Sequence, residues 1–123
     1  MEMMKTPLAV IVLLILYSSV VEATEEIGLE ILDTCLSEQK AMQGDPVSSV
    51  RYGLCLGYLK GVADSLNGHG VCLPGYMNTV QLTQALKLVF LDYVKGHQEQ
   101  LKLPAKLTVV AAFQQAFPCR HQN

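Results

Sequence analysis

Asp45-Pro46-Val47-Ser48-Ser49-Val50-Arg51-Tyr52-Gly53-Leu54-Cys55-Leu56-Gly57-Tyr58-Leu59-Lys60-Gly61-Val62-Ala63-Asp64-Ser65-Leu66 reads as one long helix. Asp45 is a good N-cap, and Pro46 suits the first turn, where its missing N–H costs nothing. Gly53, Gly57 and Gly61 recur every four residues and so share one face. Each glycine in a helix interior costs roughly 1 kcal/mol relative to alanine. Three in register imply close approach of another backbone. Val50, Leu54, Tyr58, Val62 and Leu66 run beside this seam, and Cys55 sits in its middle. The expectation is a central helix with a partner helix lying against the glycines.

Upstream, residues 24–44 read as a first helix. Acidic Glu25 and Glu26 stand in its first turn, where the helix dipole favours them, and Gly44 stops it. The two helices then form an antiparallel hairpin. Cys35 lies nine residues before Gly44 and Cys55 ten after Asp45. At 1.5 Å per residue, each is roughly 13–15 Å from the turn. Equal depth on neighbouring helices pairs Cys35 with Cys55.

Downstream, Asn67-Gly68-His69-Gly70 breaks the central helix, because these residues tolerate turn conformations. A loop runs on through Cys72, Leu73-Pro74-Gly75 and Tyr76. Asn78 caps a third helix, with Gln81 three residues later. Leu82, Ala85, Leu86, Val89, Phe90, Tyr93 and Val94 form its apolar stripe. Leu88 and Leu91 fall outside it, against the first helix or as an exposed patch for a second subunit. Residues 97–103 read as a polar connector. Pro104 opens a fourth helix whose small stripe, Ala105, Val109, Ala112 and Ala116, is the natural partner for the glycine seam. Pro118 ends it. In an up-down arrangement Cys119 returns to the end that holds the 68–74 loop, which pairs Cys119 with Cys72 by position and elimination. The expected fold is all-α, a small four-helix up-down bundle with two disulfides.

The chain has 123 residues and a formal net charge of −2, which suits one domain and argues against nucleic acid as a partner. Residues 1–23 read as a removable secretory signal peptide. Lys5 precedes an apolar run over 8–21, short for a membrane span, and Val21-Glu22-Ala23 offers small residues for cleavage; a retained membrane anchor is the rival reading. The domain would then be 24–123, in a periplasmic, disulfide-permissive compartment with no membrane contact after cleavage. Four cysteines in an exported chain fit two bridges and leave no thiolate nucleophile. His69, His97 and His121 fall in loops or the tail, and no cofactor motif is present. His69, Cys72, Cys119 and His121 could meet as a zinc set. An oxidising compartment favours the disulfide instead.

Cys55-Leu56-Gly57-Tyr58-Leu59-Lys60-Gly61-Val62-Ala63-Asp64 resembles the C-x-G-Y-x-x-G-V-x-D signature of the Rap/Tai family of type VI secretion amidase immunity proteins. Cys72-Leu73-Pro74 resembles its C-x-P loop, and Thr79-Val80-Gln81-Leu82 its T-x-x-Q-L helix start. Pro104-Ala105 with Ala116-Phe117-Pro118-Cys119 resembles its P-A…A-F-P-C ending. His97-Gln98-Glu99 departs from the family's H-P-E. The resemblance implies a non-enzymatic periplasmic helical protein, often a homodimer, that plugs the cleft of a peptidoglycan amidase. The 67–76 loop, braced by Cys72, reads either as a connector whose glycines make the turn or as the contact element, with Asn67, His69 and the flat aromatic Tyr76 as partner-binding residues. A small periplasmic acid-stress chaperone of the HdeA kind is the alternative function.

Overall fold

A computed structural model describes residues 5–20 and 26–120. Helix α1, Lys5–Val20, corresponds to the expected leader and turns its apolar side chains outward over 8–15. Among the described residues no helix is long and apolar enough to cross a membrane. The expected cleavage site lies outside the described residues.

The long helix forms as its sequence dictates. Asp45 caps α4, Pro46–Leu66, by accepting from the Ser48 amide at 3.0 Å and the Ser48 hydroxyl at 2.5 Å. One face of α4 buries Ser48, Cys55, Leu59 and Ala63. They follow helical spacing, and Cys55, Leu59 and Ala63 pack into a core shared with Leu86, Phe90 and Phe113, all fully buried. The expected bridges, Cys35–Cys55 and Cys72–Cys119, are both formed, with Cα atoms 5.0 and 4.9 Å apart.

The four-helix count is corrected. Besides α1, the described chain holds five α-helices and a 3-10 turn. The expected first helix is two, α2 (Gly28–Cys35) and α3 (Glu38–Met42). Leu36 and Ser37 both sit at φ −77° and ψ 0°, away from the ψ of a regular α-helix, and the Ser37 amide bonds three residues back, to Thr34, at 3.3 Å. The Ser37 hydroxyl reaches the Asp33 carbonyl at 3.4 Å, the local competition that bends helices at serine. Gly44, at φ +91°, then closes α3. Its amide bonds Ala41 and the next amide bonds Lys40, a left-handed cap that glycine adopts without strain. Helix α5, Thr79–Gly96, opens on the expected Asn78–Gln81 box. The polar connector is a 3-10 helix, Gln98–Lys102, and α6 spans Ala105–Ala116.

The seam is corrected too. A Cβ built on Gly53, Gly57 or Gly61 would meet nothing within 4 Å. Ala105, Val109 and Ala112 of α6 are buried in the core, and Ala116 is exposed, so the small stripe does not cover the glycines. Gly28 makes the close approach instead. A Cβ there would stand 3.1 Å from Thr108 Oγ1 and 3.3 Å from Leu101 Cα. The Gly28 amide donates to Leu103 O at 2.9 Å, and the Ala105 amide to Glu26 O at 2.7 Å. These bonds stitch the entry of the domain to the start of α6.

Candidate partner-binding loop

The chain leaves α4 at Asn67 and must reach Asn78. Gly68 and Gly70 adopt φ +86° and +95°, values that favour glycine. They let Gly68 N–H reach Val71 O and His69 N–H reach Leu66 O, both at 2.7 Å. Val71 is fully buried and pins the loop to the core. The Cys72 amide donates to Phe117 O at 2.9 Å beside the Cys72–Cys119 bridge. The loop is therefore fixed at both ends and tied across to the chain after α6.

The expected contact residues divide. Asn67 Oδ1 accepts from the Leu73 amide at 3.0 Å, so this side chain shapes the loop from within. His69 is exposed. Tyr76 is 84 % exposed, more than any other large apolar side chain described, with Val80 exposed in the first turn of α5. An aromatic ring held in water on a braced turn has the rigidity and area of an interface anchor.

Other sequence candidates are structural. His97 stacks on Tyr93 with centroids 4.0 Å apart, and its Nδ1 lies 2.8 Å from the Tyr93 carbonyl. Cys72 and Cys119 are joined to each other, which removes both thiolates from the zinc set. His121 lies outside the described residues. Among those described, no group of three or more His, Cys, Asp or Glu could hold a metal.

One polar cluster escaped the sequence reading. Lys87 is 5 % exposed in the core-facing half of α5. Its Nζ donates to Glu38 Oε2 at 2.6 Å and to Tyr52 Oη at 3.1 Å. The hydrogen bond from Lys87 holds the Glu38 carboxyl below its usual range. Burial opposes this, and the ammonium charge and Tyr52 add to it. Burial by itself pulls Lys87 down, and its bonds to Glu38 and Tyr52 reverse that, leaving it raised. The bend at Ser37 is what delivers Glu38 to this site. A signal was present: Lys87 stands three residues before Phe90 and seven before Val94, on the stripe itself.

Fold and loop define a small all-helical domain held by two disulfides, with an exposed aromatic on a braced loop. Residues 27–119 match the family model of the Rap1a immunity proteins, and the chain belongs to that family. Comparison with curated proteins and with solved structures gave no match.

Proposed function

We propose that this protein is a periplasmic immunity protein that binds and occludes a peptidoglycan amidase effector of a type VI secretion system. Residues 1–23 would export it. The family match over 27–119 carries the reading. The 67–76 loop supplies a means: a rigid projection costs little entropy when it enters a cleft. Tyr76 is the anchor and His69 the polar neighbour, while Asn67 and Cys72 hold the shape. The chemistry belongs to the partner.

The experiment is affinity capture from secreted and periplasmic proteins on the immobilised, oxidised protein. Capture of a peptidoglycan amidase, with Tyr76→Ala weakening it about thirtyfold or more, supports the reading. Tyr76 touches water rather than core, so that variant should melt like the parent. Failure of the folded protein to retain any amidase overturns the reading.

A further inference from the structure

Asn67-Gly68 is the one place in the chain where an asparagine precedes a glycine. That pair has a chemistry of its own. The backbone nitrogen after an asparagine can attack the side-chain carbonyl carbon, and glycine, with no Cβ, leaves that nitrogen least hindered. A five-membered succinimide forms as the Gly68 N–Asn67 Cγ bond closes and the Cγ–Nδ2 bond breaks. Solvent base takes the proton from Gly68 N, and the side-chain nitrogen departs as ammonia. Water then opens the ring at either carbonyl. One product is aspartate. The other is isoaspartate, whose main chain runs through the side-chain carbonyl carbon. One water is consumed and one ammonia released, with no change of oxidation state.

The fold holds this pair away from reaction. Tetrahedral geometry at an L-residue brings the next nitrogen over Cβ, where the ring closes, at a ψ of about −120°. Asn67 sits at ψ +120°. The Gly68 nitrogen is therefore turned roughly a third of a revolution from the closing position. Two hydrogen bonds keep it there. Gly68 N–H donates to Val71 O at 2.7 Å, which occupies the attacking nitrogen. Asn67 Oδ1 accepts from the Leu73 amide at 3.0 Å, which fixes the carbonyl under attack. Val71 is fully buried, so the first bond is anchored in the core. Asn67 and Gly68 are themselves exposed, so water and base reach them as soon as the turn opens.

We propose that Asn67 is a modification site gated by opening of the 67–73 turn, protected in the folded loop and converted to isoaspartate and aspartate whenever the turn opens. The two products differ in consequence. Aspartate keeps an oxygen where Asn67 Oδ1 now meets the Leu73 amide. Isoaspartate lengthens the main chain by one methylene beside Gly68, whose φ of +86° the present turn requires. The turn then cannot reclose in its register. Opening is reversible until the ring closes and one-way afterwards. The inference is independent of the amidase reading, because it concerns the chemistry of the loop alone.

Ageing of the oxidised chain in mildly alkaline buffer, folded and in guanidinium chloride, tests it. Peptide mapping by mass spectrometry reads the exchange of NH for O at each asparagine, and chromatography separates isoaspartate from aspartate. The unfolded chain should accumulate both products at Asn67. The folded chain should convert at least about tenfold more slowly, because its rate scales with the open fraction. Gly68→Ala, aged unfolded so that strain at this position does not enter, should slow the reaction about tenfold or more by crowding the nitrogen. Asn78, followed by β-branched Thr79, is the internal reference and should stay intact over the same time. Equal rates at Asn67 in the folded and unfolded chains overturn the inference. So does an unfolded chain in which Asn67 reacts no faster than Asn78, or in which Gly68→Ala changes nothing.

Discussion

Replacing Glu38 by Gln isolates the ion pair that holds α3 to the body. The Lys87 side chain is 6 % exposed and that of Glu38 is 41 %. Stranding one member of a fully buried pair costs about 3–5 kcal/mol. Here water reaches Glu38 and Tyr52 Oη remains a partner at 3.1 Å, so screening lowers the figure to about 1–2 kcal/mol. For a domain of this size that is roughly a 5–15 °C fall in Tm. Urea unfolding of the oxidised protein at pH 7 reads the same quantity as a lower midpoint at unchanged slope. The pH dependence has a definite sign. The Glu38 carboxyl is lowered, so its contribution is full above the ordinary carboxylate pKa and disappears as pH falls through the lowered value. Parent and Glu38→Gln should therefore converge near pH 2–3. Lys87 is raised, so its contribution holds through neutral pH and is lost only as pH rises through the raised value. Adding Lys87→Met removes the stranded charge and should recover most of the loss. Equal stability of parent and Glu38→Gln at pH 7 would refute the reasoning, as would an undiminished gap at pH 2.5.

Two further stability tests follow from the packing. Gly28→Ala presses a methyl group against the Leu101 backbone and should destabilise by about 1–2 kcal/mol. Gly57→Ala should stabilise by up to about 1 kcal/mol; thermal melts of the two, moving in opposite directions, check both glycines. Replacing Cys72 and Cys119 by Ser opens a loop of sequence separation 47 and should cost about 4 kcal/mol by chain entropy. The Cys35–Cys55 pair, with separation 20, should cost about 3 kcal/mol, and denaturant midpoints give the order.

Local chemistry was the legible part of this sequence. Asp45, Pro46, Asn78 and Gln81 act within their own turns, so their roles could be read from neighbours. Cys35–Cys55 was legible because helix rise converts spacing into depth, and Cys72–Cys119 followed by position and elimination. The division at Leu36–Ser37 was not, since a buried serine becomes a bend only when the chain beyond it gains a distant partner, here Lys87. The glycine seam misled for a related reason. Spacing shows that three glycines share a face, but not whether that face turns inward. Cys55, Leu59 and Ala63 claim the core, and the glycines fall on the other side. Gly28 carried no pattern, because its close neighbours, Leu101 and Thr108, lie more than seventy residues away. In the loop, the bond from the Leu73 amide sets Asn67 apart from Tyr76, and sequence alone placed both on equal terms.

Inhibition of the captured amidase tests the central reading most directly. Peptidoglycan hydrolysis would be followed at fixed enzyme while the oxidised protein is added in rising amounts. The expected result is a loss of activity in proportion to the complex formed, approaching zero at saturation, with Tyr76→Ala shifting the curve to higher concentration. A saturated complex that still hydrolyses peptidoglycan at the full rate would contradict occlusion.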